Sequence, residues 1–460
     1  MRPTQWRRST HVVIGVGVLL VVAAVVAAAA VLTKGNSTSD AKAAKPAPPA
    51  ATANPAIVPV ADSATKPTPD RLAATLAPLV ADPNLGAVTG RITDAISGAQ
   101  LWARGADVPM QPASTNKVLT TAAALLTLDR DARLSTGVLS GDQPGVVVLK
   151  GGGDPTVSAA PPGQQTWYRG AARISDLADQ VRRSGTKVTA VQVDISAFSG
   201  PAMAPGWDPA DIDEGDIAPM QAVMLDGGRT QPVSVDSARS TTPALDAGRA
   251  LAVALNVDPA RVMVLPGGSS TGQEIASVQS PPLIERLRQM MNESDNVMAE
   301  SIGREVAAQL NRPQSFDGAV QAVLGQLDSA KIDTGGAHLL DSSGLSVDDR
   351  LTAETLDGVV NAAAGSDQPK LRPLLDVLPI AGGSGTLSNR YLDTDAGRSA
   401  LGYLRAKTGS LTGTNALAGV VTDSSGRVLT FAFISNNAGP TGRTAIDALS
   451  AALRSCGCST

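Results

Sequence analysis

Apolar positions recur at spacings of three and four or alternate along most of the chain, but from Val12 to Leu32 they run for 21 residues without a charge. That run follows the arginines of "MRPTQWRRSTH". It is long enough to cross a bilayer and lacks the polar face that a surface helix carries. By the positive-inside rule the rest of the chain lies outside the cytoplasm. A small-x-small site, Ala41 to Ala43, sits well beyond the apolar run, which favours a membrane anchor within residues 1–33 over a cleaved signal segment. Residues 34–69, with "KPAPPA" and "KPTPD", read as an extended, semi-rigid spacer.

Folded periodicity begins near Asp70. "DRLAATLAPLVADP" reads as a short helix, and "LGAVTGRITDAISGAQLWARG" as two strands joined by a turn around Ser97 and Gly98. A helix over 112–128 follows, with Val118, Leu119, Ala122, Leu125 and Leu126 on its buried side, then a strand "GVVVLK" ending in "GGGDP". Up to about residue 275 the pattern is one of short strands between turn clusters: "VTAVQVDISAF", "QPVSVDSA" and "ARVMVLPG". "PPLIERLRQMMNESDNVMAESIGREVAAQL" is helical in period. The pattern then returns to β, where "LRAKTGSLTGTNALAGVVTD" and "RVLTFAFIS" flank the turn "SSG", before a last helix "TGRTAIDALSAALRS". Strands first and last with helices between them predict an α+β domain whose sheet joins the two ends of the chain. The main domain is expected over 70–149 and 276–460, with an inserted β-rich accessory region over 150–275.

Composition narrows the chemistry. A chain of 460 residues, 43% hydrophobic and 17% charged, has room for a large core and more than one domain. The net charge of −4, with no basic stripe, gives no footprint for nucleic acid. The two histidines, His11 and His338, and the two cysteines, Cys456 and Cys458, make no zinc or iron–sulfur ligand set, so no metal is expected. A Cys-Gly-Cys bridge would close a very small, strained ring, so these thiols are expected to take no catalytic part.

Ser-x-x-Lys occurs three times: Ser63/Lys66 in the spacer, Ser184/Lys187 in a turn, and Ser114/Lys117 at a helix start. Residues three apart on a helix share a side, so Lys117 can reach the Ser114 hydroxyl. A serine is a poor nucleophile until a base takes its proton. Beyond the apolar run only His338 is available as a histidine. A lysine can serve if burial and a nearby cation lower its pKa from about 10.4. That requirement points to a second lysine. The rival "GSSTG", residues 268–272, fits a nucleophile elbow but is followed by "QEIASVQS", not by a helix. Two further motifs supply the missing parts: "ESDN", with Ser294 and Asn296, and "LRAKTGS", with Lys407, Thr408 and Gly409. Read singly, Ser114 is an N-cap, Ser294 a helix cap, Asn296 a turn residue and Lys407 a solvated strand lysine.

In the order Ser-x-x-Lys, Ser-Asp-Asn, Lys-Thr-Gly the three motifs resemble the active-site set of penicillin-binding proteins and serine β-lactamases. The long interval from Ser114 to Ser294 narrows the likeness to low-molecular-mass penicillin-binding proteins, D-alanyl-D-alanine carboxypeptidases and endopeptidases with extra domains between the first two motifs. "PASTNKVLTTAAAL", "VLKGGGDPT", "DSSGLS", "GTLSNR" and "AKTGSLTGTNALAG" extend the resemblance over most of residues 70–455. Ser342 departs from it, standing where such proteins commonly have glycine.

The resemblance implies a transpeptidase-like fold, an antiparallel sheet flanked by helices, and an acyl-enzyme mechanism on peptidoglycan stem peptides without a cofactor. In it Ser114 attacks and Lys117 takes the proton. The N–H groups of Ser114 and Ser410 form the oxyanion hole, Ser294 relays the proton to the leaving amine, and Asn296 holds the substrate amide. Lys407 and Thr408 bind the substrate carboxylate, and Gly409 lets the strand edge approach the substrate. It also implies covalent inhibition by β-lactams. Asp154, Asp341, Ser343 and Arg390 lie in family-like stretches and read as turn and packing residues. A β-lactamase is disfavoured by the large insert and the missing Glu-bearing deacylation loop, and a weakly catalytic cell-wall scaffold by the intact reactive residues. Carboxypeptidase and endopeptidase action are not separable by sequence.

Overall fold

The computed structural model describes residues 64–265, 267 and 270–455. The apolar run, nearly all of the spacer, and Cys456 and Cys458 lie outside the described residues. Among those described, no helix is long and apolar enough to cross a membrane. The chain divides into Met1–Pro59 and Val60–Thr460, and everything below concerns the second part.

Helix α1 (Pro69–Val80) starts at the expected place, where the Thr68 side chain accepts a hydrogen bond from the Arg71 N–H. The strands β1 (Ala87–Asp94) and β2 (Gln100–Arg104) join β8 (Leu404–Leu411), β9 (Thr414–Thr422) and β10 (Val428–Asn436) in one antiparallel sheet of order β2-β1-β10-β9-β8. Pairing of β1 with β10, from Ala87↔Asn436 to Asp94↔Leu429, closes the two ends of the chain as the pattern predicts.

Strand alternation sends each face to a different core. Leu417, Val421, Phe431 and Phe433 pack with Leu72 and Leu76 of α1 and with Leu449 and Leu453 of α9 (Gly442–Ser455). The neighbours Ala416, Ala418 and Ala432 face the helices α2 (Lys117–Thr127), α5 (Leu283–Glu293), α6 (Asn296–Gln309), α7 (Phe316–Ser329) and α8 (Ala353–Ala364). Small side chains on this face let the helices approach the sheet closely.

A second sheet, of order β6-β5-β4-β3-β7, is built from β3 (Ser135–Ser140), β4 (Val146–Gly151), β5 (Ala190–Asp194), β6 (Met263–Val264) and β7 (Glu274–Gln279). Here β4 runs parallel to β5, and β5 to β6, with α3 (Ile174–Arg183) and α4 (Pro243–Ala254) in the connections. Its core, from Val138 to Leu251, Val262 and Ala276, draws on these elements and on Val157, Val223 and Val257 of the connecting segments. The second sheet therefore begins at Ser135 and ends at Gln279, wider than the 150–275 read from the pattern. The strand "VVVLK" is its centre rather than part of the main sheet, a matter of pairing that periodicity does not encode. "QPVSVDSA" forms turns instead of a strand and leaves Val233 and Val235 exposed. Residues between β5 and α4 do something else: Trp207, Ile212, Ile217 and Met220 pack against Val297, Phe316 and Leu345 of the main domain.

Candidate active site

The expected nucleophile does not open α2 directly. Ser114 lies in the 3₁₀ turn Ala113–Asn116 that precedes it, after Ala113 in a left-handed conformation, φ 48°. Two glycines make room for this turn. A Cβ at Gly409 would sit 2.6 Å from the Pro112 carbonyl oxygen, and one at Gly344, φ 80°, 2.0 Å from that of Ala113. Gly409 thus serves the approach of β8 to the Ser114 turn. Ser294 ends α5 in the left-handed region, φ 58°, and Asp295 caps α6 by accepting from the Met298 N–H at 3.0 Å. The bend between two helices turns Ser294 and Asn296 towards Ser114.

Lys117 is fully buried. Its Nζ donates to Ser114 Oγ at 2.9 Å, Asn296 Oδ1 at 2.6 Å and the Ser343 carbonyl at 2.8 Å. Burial lowers its pKa to about 8, opposed by the carboxylates of Asp341, Glu300, Asp295 and Asp216. Lys407, buried on β8, donates to Ser294 Oγ at 2.9 Å and to the Thr408 carbonyl at 2.8 Å. Burial first, then the Lys117 and Arg390 cations, hold Lys407 well below the usual lysine range. The Thr408 hydroxyl donates to Thr386 Oγ1 at 2.8 Å. Ser114, Ser294, Asn296, Thr408 and Ser410 line one cleft of about 390 Å³, together with Asp216, Glu293, Arg390 and Arg443. The structure therefore brings all eight expected residues to one place: six line or point into the cleft, Lys407 lies beneath Ser294, and Gly409 backs the Ser114 turn.

The rival motifs fall elsewhere. Ser270 of "GSSTG" donates its N–H to Asp194 Oδ2 at 2.7 Å, at the end of the second sheet, and Ser184 ends α3. His338 pairs through its backbone with Arg350 and does not line the cleft. Asp154 caps its own turn through Thr156, buried and pushed up to about 6 by burial. Arg390 donates from Nε to Asp447 Oδ2 on α9 at 2.9 Å. Among the described residues one carboxylate trio, Asp211, Glu214 and Asp216, has oxygens within 4.8 Å of one another; two of the three are exposed.

Several residues with a part in the site escaped the sequence reading. Asp341 is more than a turn residue: it accepts from the N–H groups of Ser343 at 3.0 Å, Gly344 at 2.6 Å and Ser346 at 2.7 Å, and from Trp207 Nε1 at 2.8 Å. This fixes the loop whose Ser343 carbonyl faces Lys117. The Asp-x-x-Gly spacing of "DSSGLS" was the available signal. No local signal marks Tyr168, whose hydroxyl donates to Asp295 Oδ2 at 2.7 Å, or Asp216, whose carbonyl accepts from Asn296 Nδ2 at 3.0 Å. The departing residue Ser342 faces Gly303 of α6, where a Cβ would meet its hydroxyl at 2.1 Å.

Residues 72–240 and 232–454 match the profile of the D-Ala-D-Ala carboxypeptidase 3 (S13) family. The chain belongs to that family. It is an enzyme, a serine D-Ala-D-Ala carboxypeptidase. Residues 1–59 match a second profile, the carboxypeptidase Rv3627c-like N-terminal domain. The carboxypeptidase is 73% identical to Carboxypeptidase DacB of Mycolicibacterium smegmatis over 459 residues, covering 100% of both chains. It is 63% identical to Carboxypeptidase Rv3627c of Mycobacterium tuberculosis over 464 residues, again 100% of each. Its fold matches penicillin binding protein 4 from Haemophilus influenzae with a TM-score of 0.67 over 83% of this chain and 97% of that one, at 24% identity. The expected α+β, penicillin-binding-protein-like fold is the observed one.

Proposed function

We propose that the carboxypeptidase cleaves the terminal D-Ala of peptidoglycan stem peptides through an acyl-enzyme on Ser114. The observation that carries this reading is the 2.9 Å hydrogen bond from the fully buried Lys117 Nζ to Ser114 Oγ. A lysine lowered to about 8 is neutral in a useful fraction near neutral pH and accepts the serine proton as Oγ attacks the carbonyl carbon. The N–H groups of Ser114 and Ser410 receive the developing oxyanion. Collapse breaks the C–N bond while the proton taken up by Lys117 passes through Ser294 to the leaving amine. Water then attacks the ester, returns a proton through Lys117 and releases the shortened peptide.

Asn296 holds Lys117 and the substrate amide, and Lys407 with Thr408 binds the terminal carboxylate. Arg390 and Arg443 add positive charge to the same cleft. A structure of the Haemophilus influenzae relative is complexed with a novel β-lactam, which supports penicillin acylating Ser114 here. As a cell-wall carboxypeptidase the enzyme acts outside the cytoplasm, and residues 12–32 are its proposed membrane anchor.

Labelled penicillin with peptide mapping tests the assignment. Wild-type enzyme is expected to carry the label on Ser114, and Ser114→Ala to lose both the adduct and about 10⁴-fold of the peptidase rate. Label retained by the alanine variant, or mapped to Ser184 or Ser270, would remove Ser114 from the role.

A further inference from the structure

Behind Lys117 lies a buried acidic side chain that none of the proposed chemical steps uses. Glu300 sits on α6 one turn after Asn296 and is fully buried. Its Oε1 accepts from the Ser342 N–H at 2.9 Å. Its Oε2 pairs at 3.4 Å with Arg304, itself stacked over the Phe316 ring at 4.1 Å. Two peptide units on from the Ser342 N–H that Glu300 holds is the Ser343 carbonyl, the acceptor of Lys117 Nζ at 2.8 Å. From the other side, Thr120 of α2 donates to the Ser342 carbonyl at 2.6 Å. The Ser342–Ser343 segment is therefore clamped between the helix that carries Lys117 and the helix that carries Asn296.

We propose that Glu300 is a positioning residue of the acylation step: it holds the Ser343 carbonyl against Lys117, and its negative charge favours the protonated form of that lysine. The proposal rests on Lys117 being the base for Ser114. The charged groups around Glu300 are Arg304 on its own helix, Asp341 and Asp349 from the loop above it, and Lys117 from α2. Those around Lys117 are Asp341, Glu300, Asp295, Asp216 and Lys407. Burial, aided by Asp341 and opposed by Arg304, pushes Glu300 up to about 7. Glu300 thus gains its charge just below the range in which Lys117 loses its own. As pH rises, the new carboxylate holds the lysine proton and delays the appearance of free base. The two groups titrate as a coupled pair, and the midpoint of activity belongs to the pair.

The rate of penicillin acylation against pH tests this. Glu300→Gln keeps an acceptor for the Ser342 N–H and removes the charge. Its midpoint is expected to fall by about one pH unit, with the high-pH plateau within about threefold of wild type. Glu300→Ala also loses the acceptor, and its plateau is expected to fall by about tenfold or more as the Ser343 carbonyl moves. A purely structural side chain would lower the plateau or the melting temperature without moving the midpoint. An unmoved midpoint in the glutamine variant overturns the electrostatic part, and a wild-type plateau in the alanine variant overturns the positioning part. If the stranded Arg304 unfolds Glu300→Gln, the double variant with Arg304→Met removes that cation too and is expected to show the same downward move. Failure of the underlying reading has a different signature: an adduct away from Ser114, or one that survives Ser114→Ala, rather than an unmoved midpoint with Ser114 still labelled.

Discussion

Lys407 has the most consequential environment of any single residue in the site. Burial and two neighbouring cations disfavour its charge in the empty enzyme, whereas a bound carboxylate restores it. Binding of a carboxylate ligand is therefore expected to draw protons from solvent. Calorimetry of penicillin with the Ser114→Ala variant, in two buffers of different ionisation enthalpy, reads this directly. The apparent heat should differ between buffers, and Lys407→Gln should abolish the difference. Equal heats in both buffers for the lysine-containing protein would show that Lys407 keeps its charge throughout. The same environment explains why Lys407, taken alone, looked like an ordinary solvated strand lysine. Alternation puts it on the same face of β8 as Gly409, and only the approach of the Ser114 turn and of Ser294 covers that face.

At the scale of elements, the inserted segment is not a free accessory. Three of its residues bond to the active-site motifs: Tyr168 to Asp295, Trp207 to Asp341, and Asp216, through its carbonyl, to Asn296. Tyr168→Phe leaves one Asp295 oxygen without that donor while the other still caps α6. It is expected to cost about 1–3 kcal/mol of stability and to slow acylation, measured by thermal unfolding and penicillin labelling. Replacing residues 150–275 by a short linker removes more, stripping Trp207, Ile212 and Ile217 from Val297, Phe316 and Leu345. Such a chain is expected to be insoluble or unable to bind penicillin. A soluble, penicillin-binding product would show that the main domain completes its core alone. The pattern suggested separable β-rich modules because short strands between turns look alike whether they stand apart or seal a neighbour's core.

For the whole molecule, the main testable division is between the N-terminal segment and the catalytic part. A chain beginning at Ala64 keeps α1, both sheets and every residue of the cleft. It is expected to be soluble and to acylate at the wild-type rate, whereas the full chain partitions with membranes. Fractionation followed by penicillin labelling measures both. Full-length protein recovered in the soluble fraction without proteolysis would remove the anchor proposal.

The order and spacing of Ser114, Lys117, Ser294, Asn296, Lys407, Thr408 and Gly409 were legible in the sequence because each short motif needs particular residue types at fixed local offsets. The strands of the main sheet were legible too, since alternation and turn chemistry are local. Packing alone decided the rest. Strand "VVVLK" joined the second sheet because pairing is a choice among distant edges, which periodicity leaves open. Glu300, Asp341, Tyr168 and Trp207 became parts of the site through contacts with residues such as Asp295 and Ser342 that span 42 to 134 positions. Local motifs named the reacting groups, but only burial in the folded chain takes Lys117 and Lys407 out of water and lowers the pKa of each.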